Sequence, residues 1–386
     1  MNFKRVFLIV LDSLGVGASL DADLYEDKDS NTLGHIEENT DLFIPNLKNI
    51  GLLNTLKMNN LESDAYYTIA RPKNKGKDSL SGHYELMGIE NLISFKTYDK
   101  FPQMMLESIA NTLNIGLIGN VVSPANLIIN KLGKRHLETK SLIIYTTGDS
   151  NLEVAAHEDI IPVQDLYTYC EKIREITKIE EYKIGRIIAR PFKTVDNHFE
   201  MTNDTRSYTL NPSNKSVLDI IKENNMQTIS IGKINDLFNN CGITKIIKSF
   251  NNEEGLNKLF EIMDKNFNGL CFLNLSDFDI LYGHSRDIEG YKKALEKLDV
   301  TLPLILNKLN IDDLLIITAD HGCDPTFKGN NHTRENVPVL FYSRAFQEPK
   351  QLDILESLSD VGATILECLG IEDKPFIGKS IKDKLK

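Results

Sequence analysis

Several features are missing from this sequence, and each absence narrows its function. The five cysteines, Cys170, Cys241, Cys271, Cys323 and Cys368, are scattered over 386 residues with no CxxC pair. An odd, scattered set argues against a disulfide framework and for a reduced, cytoplasmic protein. Long apolar runs are absent too. Basic residues precede Val6 to Leu11 in "FKRVFLIVLDSLG", but Asp12 ends the run. That is too short for the apolar region of a signal peptide and far too short for a membrane span, so it reads as a buried strand. There is no low-complexity tract, no internal repeat and no basic stripe. The net charge is −11 and the pI about 5.3, which disfavours nucleic acid and anionic membrane as partners. An anionic small substrate stays open, because a local cationic pocket can outweigh a distant global charge.

What is present is a globular composition, 41% hydrophobic and 26% charged. The length predicts two domains, or one core with a large insertion. Val6 to Leu11, Thr228 to Ile231, Leu270 to Leu275, Leu314 to Ile317 and Pro338 to Tyr342 read as buried strands. Between them "SVLDIIKEN", "GLNKLFEIMDKN" and "RDIEGYKKALEKLDVTLPLILNKL" place apolar residues at helical spacing, and "DVGATILECLGI" fits a last packed helix. This alternation predicts an α/β fold with a mainly parallel sheet flanked by helices. The middle of the chain carries its own strands, "SLIIYTTGD" and "YKIGRIIARPF", around a helix "VQDLYTYCEKIREITK". An inserted α/β domain is expected over 95–212, with the core formed by 1–94 and 213–386. The polar, proline-bearing "TLNPSNKS" reads as its exit linker.

Three apolar segments end in acidic or imidazole residues: "FLIVLDS" (Asp12), "CFLNLSDFDILYGH" (Asp277, Asp279, His284) and "LLIITADHG" (Asp320, His321). His332 follows in "GNNHTREN". The carboxyl ends of strands in an open α/β sheet form a ligand crevice, so these residues are expected to converge. A single Asp at a strand end is most often a cap or turn residue. Three of the eight histidines falling beside such aspartates are harder to explain that way. Carboxylate and neutral imidazole together suit Mn²⁺, Zn²⁺ or Fe²⁺. Six such ligands can hold two divalent ions, which at roughly 3.5–4 Å apart clamp a phosphoryl oxygen and lower the pKa of a hydroxyl. Strand alternation would put Asp277 on the same face as Asp279, facing the site.

The motifs "VLDSLGVG", "KDSLSGHYELMG", "AAHE", "GRIIARPF", "IGKINDLF", "DFDILYGHSRDIEGY", "TADHG" and "HTRENVP" resemble phosphopentomutases of the alkaline phosphatase superfamily, in order and over nearly the whole chain. The resemblance implies an alkaline-phosphatase-like core, an inserted cap and two Mn²⁺ ions. Asp12, Asp320 and His321 match one metal site, and Asp279, His284 and His332 the other. Ser79 matches the nucleophile position, where the family has threonine. A phospho-Ser79 enzyme, primed by glucose 1,6-bisphosphate or ribose 1,5-bisphosphate, would exchange phosphate between C1 and C5 of ribose or deoxyribose. Arg186 and Lys233 match phosphate and sugar contacts, and Asp149 a sugar-contacting carboxylate. Each of the two basic residues, taken alone, reads more often as a solvated charge. The expected partner is a phosphorylated pentose, and the expected state a monomer.

Departures cluster around the ligands and in the cap. The cap's phosphate-binding arginine position is Met201, with Arg206 nearby as a substitute. "HSRD" carries Ser285, "NHTREN" carries Asn331 and Asn336, and "HGCD" carries Cys323 where the family has asparagine. Two other readings therefore stay open. One is a metal-dependent phosphomonoesterase or another phosphosugar mutase on the same core. The other is a catalytically silent metal-binding relative. Ser81, His83 and Glu85 read as loop-shaping residues.

Overall fold

The computed structural model describes residues 1–91, 94–375 and 377–386. The chain divides into two compact units, Met1–Ile93 with Pro212–Lys386, and Ser94–Asn211. In chain order the strands are β1 (Arg5–Leu11), β2 (Tyr66–Ala70), β3 (Leu117–Val122), β4 (Leu142–Thr146), β5 (Asn151–His157), β6 (Arg186–Val195), β7 (His198–Met201), β8 (Arg206–Thr209), β9 (Gln227–Ile231), β10 (Lys245–Ile247), β11 (Gly269–Leu275), β12 (Asp313–Thr318) and β13 (Val337–Tyr342).

In the first unit the described strands order as β10-β9-β11-β1-β12-β13-β2. β10, β9, β11, β1 and β12 run parallel. β13 and β2 are added antiparallel at one edge. The central strands β1, β11 and β12 are buried along their whole length, which is why they read as near-continuous apolar runs rather than alternating ones. One buried charge pair anchors their starting ends. Arg5 lies opposite Asp313 in the ladder and grips it with Nε and Nη2 at 2.8 and 2.6 Å. Parallel neighbours share a direction, so the carboxyl ends of β9, β11, β1 and β12 emerge on one edge.

The helix Ile288–Lys308 carries Pro303 in its interior. Proline donates no hydrogen bond, so the carbonyl of Asp299, one turn back, loses its helical partner. Asn46 supplies one instead: its Nδ2 donates to Asp299 O at 3.2 Å and to Asp299 Oδ2 at 2.9 Å.

The second unit has its own sheet, β3-β4-β5-β6-β7, with β8 paired to β6. Alternation along its strands feeds two cores. Leu142, Ile144, Leu152 and Val154 pack with Leu166 and Ile173 of the helix Val163–Thr177. Ile143, Tyr145 and Ala155 pack with Ile128 and Ile129 of the helix Ala125–Thr139. β5, the strand between β4 and β6, has no counterpart among the sequence-predicted strands. Its buried Glu153 broke the apolar pattern; the structure pairs that carboxylate with Arg190 at 2.8 Å and Tyr145 at 2.6 Å. Arg190 is therefore a structural cation. Among the described residues, no helix is long and apolar enough to cross a membrane.

Candidate metal centre

Four turns at one sheet edge build the site. Asp12 follows β1 directly. The next residue, Ser13, takes φ 75°, a left-handed conformation that L-residues rarely adopt. The turn is held there because Ser13 N donates to Asp320 Oδ1 at 3.1 Å and Cys323 N donates to Ser13 O at 3.1 Å. Asp320 and His321 lie just beyond β12. After β11 the chain winds into a π-helix, Phe278–Gly283, in which His284 N reaches back to Asp279 O at 3.0 Å. The five-residue repeat brings Asp279 and His284 to one side; such turns recur at functional sites. His332 arrives from the loop before β13.

The carboxylates and imidazoles gather in two overlapping groups. Ligand atoms of Asp12, Asp320 and His321 lie within 4.8 Å of one another, as do those of Asp279, His321 and His332. Asp279 is 3.4 Å from His284 Nε2 and 3.3 Å from His332 Nε2, and those two nitrogens are 3.1 Å apart. Asp279 Oδ1 is buried yet meets no donor in a hydrogen-bonding direction, His332 included.

Tautomers follow from the outer partners. His284 Nδ1 faces Asn330 O at 2.7 Å and His321 Nδ1 faces Gly322 O at 3.1 Å. Each Nδ1 therefore carries a proton, and in the neutral ring it is Nε2 that offers the lone pair. Lone pairs and carboxylate oxygens directed at common points fit divalent cations.

The charged form of His321 is opposed by burial, but Asp320, Asp279 and Asp12 outweigh it and raise its pKa. Burial opposes the Asp279 carboxylate, but His284 and His332 outweigh it and hold its pKa well below the ordinary value. Burial, with His321 beside it, lowers His332 to about 4, so its imidazole is neutral. Burial and the Asp320 carboxylate raise Asp12 to about 6, against the opposing pull of Lys233.

Ser79 opens the helix Ser79–Leu86, capped by Asp78, whose side chain accepts from Ser81 N at 3.1 Å. Its Oγ is buried, 3.1 Å from His321 Nε2, 3.1 Å from Lys233 Nζ and 3.5 Å from Asp12 Oδ1. The structure thus brings Asp12, Ser79, Asp279, His284, Asp320, His321 and His332 together. Lys233 joins them through an ion pair with Asp12.

Asp277 does not join. β11 ends at Leu275, so strand alternation no longer applies. Asp277 turns to the helix Asn252–Met263, accepting from Asn252 N at 2.8 Å. In the second unit Asp149 and Arg186 pair with each other, and Arg186 Nε is buried without a hydrogen bond. Arg206 sits at the far end of the β6–β8 ladder from Arg186, its guanidinium over the rings of Tyr167 and Tyr208 at 5.2 and 5.0 Å. Met201 is exposed at the end of β7.

One supporting residue, Asn274, escaped the sequence reading, and another, His83, was read there only as loop-shaping. Asn274 Nδ2 donates to Asp12 Oδ2 at 3.0 Å and faces His83 Nε2 at 3.2 Å. His83 Nδ1 reaches Ser79 O at 2.8 Å and Asp320 Oδ2 at 3.0 Å. Together they tie the two aspartates to the Ser79 turn. The signal was an amide inside the apolar run "GLCFLNL", which needs a polar partner once buried. Ser81 and Glu85 brace the loop. Glu85 accepts from Lys73 N at 2.9 Å, Asn74 N at 2.7 Å and Leu358 N at 3.0 Å.

Residues 4–373 match the metalloenzyme superfamily. The chain belongs to that superfamily, the group that includes the alkaline phosphatase fold, and membership implies divalent-metal binding. Its fold is similar to that of a Pyrococcus horikoshii protein, at 13% identity and TM-score 0.50, covering 98% of this chain and 100% of that one. It is equally similar to a phosphoglycerate mutase from Leishmania mexicana studied at low cobalt concentration, at 13% identity and TM-score 0.50, covering 99% and 98%. At such identity these likenesses show the fold alone.

Proposed function

We propose that the protein is a phosphopentomutase, moving phosphate between C1 and C5 of ribose or deoxyribose through phospho-Ser79 and a sugar 1,5-bisphosphate. The observation that carries this reading is the Ser79 hydroxyl, buried against Asp12, His321 and Lys233 beside the second ligand group. Asp12, Asp320 and His321 would hold one divalent ion and Asp279, His284 and His332 the other, with Mn²⁺ as the proposed metal. Bound there, the ions would stabilise charge on the phosphoryl oxygens and favour the ionised hydroxyl.

The chain's own residues do the rest. Ser79 Oγ carries the phosphoryl group at the N-terminus of its helix, where negative charge is favoured. Lys233 Nζ offsets part of that charge. The C1 hydroxyl of ribose 5-phosphate attacks phosphorus as the Oγ–P bond breaks, giving the bisphosphate. Ser79 then takes the C5 phosphate, and the proton lost from O1 is regained on O5 as ribose 1-phosphate leaves. Arg186 is the proposed contact to the phosphate not in transfer, a role that suits its fork, with Asp149 on a sugar hydroxyl and Arg206 in a lesser role. The setting proposed is a cytoplasmic monomer.

The test is ³¹P NMR of the protein with Mn²⁺, ribose 5-phosphate and catalytic glucose 1,6-bisphosphate. The expected result is growth of ribose 1-phosphate, abolished in Ser79→Ala. Release of inorganic phosphate alone would instead favour a phosphomonoesterase. No change in either signal, with no phosphoserine at position 79, would favour a silent metal-binding relative.

A further inference from the structure

The site holds one donor that the ligand set above leaves unused. The Cys323 sulfur, a carboxylate oxygen of Asp279 and a ring nitrogen of His284 lie within 4.8 Å of one another. Cys323 is fully buried. A methyl group placed on Gly283 would stand 3.0 Å from Cys323 Sγ and 3.3 Å from Asp279 Oδ1, so both atoms border the same small space. Asp279 Oδ1 is the buried oxygen that meets no hydrogen-bond donor. An acceptor oxygen without a donor, a sulfur and an imidazole lone pair around one point are what a cation requires.

Arg286 supplies a second and independent sign. Its backbone takes φ 56°, an unfavourable conformation for a residue with a side chain. The side chain is fixed by donating to Gly329 O at 2.6 Å, Asn331 O at 2.7 Å and Gly283 O at 3.1 Å, and its Nη1 lies 3.2 Å from Cys323 Sγ. The guanidinium is held against the sulfur, where its charge favours a thiolate. A coordinating thiol loses its proton to solvent as the sulfur–metal bond forms.

We propose that Cys323 is a thiolate ligand of the ion held by Asp279, His284 and His332, and that it biases this site toward zinc, cobalt or cadmium over manganese. The proposal rests on the two-ion reading of the same centre. Its chemistry is the match of a soft sulfur donor to softer cations, whereas the Asp12, Asp320 and His321 group offers only oxygen and nitrogen. Arg286 is the positioning residue that holds the sulfur's charge.

The test uses the full-length protein, stripped of metal and reloaded with Co²⁺, with bound metal counted by mass spectrometry. The expected spectrum has a near-ultraviolet sulfur-to-cobalt charge-transfer band. Cys323→Ser removes the band while cobalt still binds. The same variant weakens Cd²⁺ binding at least about tenfold and leaves Mn²⁺ binding within about twofold. Two bound cobalt ions with no such band in the unaltered protein would overturn the proposal while sparing the two-ion reading, and so would a band unchanged in Cys323→Ser. Failure of the unaltered protein to bind cobalt, zinc or manganese would overturn both.

Discussion

Asn274 acts on the candidate metal centre from outside it. Its amide spends one N–H on Asp12 and directs the other at His83, which in turn meets Asp320. Losing such a partner frees a ligand to rotate. Asn274→Ala is expected to weaken metal binding or turnover by about 10–100-fold with the fold retained. Unchanged metal affinity by titration would remove Asn274 from the site. Glu335 shows the opposite balance of forces. Thr32, Thr333 and Gly17 donate to it, yet burial prevails and raises its pKa from 4.5 to about 7. Between those values the folded protein binds the proton more tightly than the unfolded chain does. Its contribution is therefore present below about pH 4.5 and lost as pH rises through about 7. Relative to the unaltered protein, Glu335→Gln should gain on the order of 2–3 kcal/mol between pH 4.5 and 8. Urea midpoints at the two pH values check this, and a pH-independent difference would contradict it.

Elements meet at the site only because one of them lacks a side chain. The helix Ser79–Leu86 approaches the turn after β12 so closely that a Cβ on Gly82 would sit 2.2 Å from the backbone oxygen of Asp320. Backbone on both sides leaves nothing flexible to yield. Gly82→Ala is expected to cost about 1–3 kcal/mol or more in stability and to displace Ser79 from His321. Phosphorylation of Ser79 should fall further than stability does. A variant with normal phosphoenzyme yield and a lower melting temperature would mean that the helix shifts without moving its first turn. The π-helix after β11 is the other device at this scale, since an ordinary turn would not set Asp279 and His284 side by side.

Across the whole molecule, all six sequence-predicted metal ligands fall in the unit formed by 1–93 and 212–386. Ions that bind only the folded form stabilise it by mass action, about 2.7 kcal/mol per site at a free concentration 100 times Kd. Chelation should therefore speed hydrogen exchange at the ends of β1, β11 and β12 and leave β4 and β5 unchanged. Equal loss of protection in both units would show that stabilisation is not confined to the ligand-bearing one. Bound metal should also lower the apparent Asp12 pKa from about 6, because cation charge favours the carboxylate.

Much of this protein was readable in the residues themselves. Short, mostly apolar runs marked β1, β11 and β12, because a parallel strand buried on both faces needs no alternation; β9, and the antiparallel β13, were marked by similar short runs. The ligand types marked the centre, because clustered carboxylate and imidazole at strand ends have few other uses. Three outcomes depended on tertiary structure. Asp277 left the site because β11 stops before it and the chain turns within two residues. β5 was hidden because its buried Glu153 is neutralised by Arg190, a partner far along the chain. Asn274, His83 and Arg286 acquired roles only through distant partners. A residue's type shows which atoms it offers; only folding sets which other atoms those must satisfy.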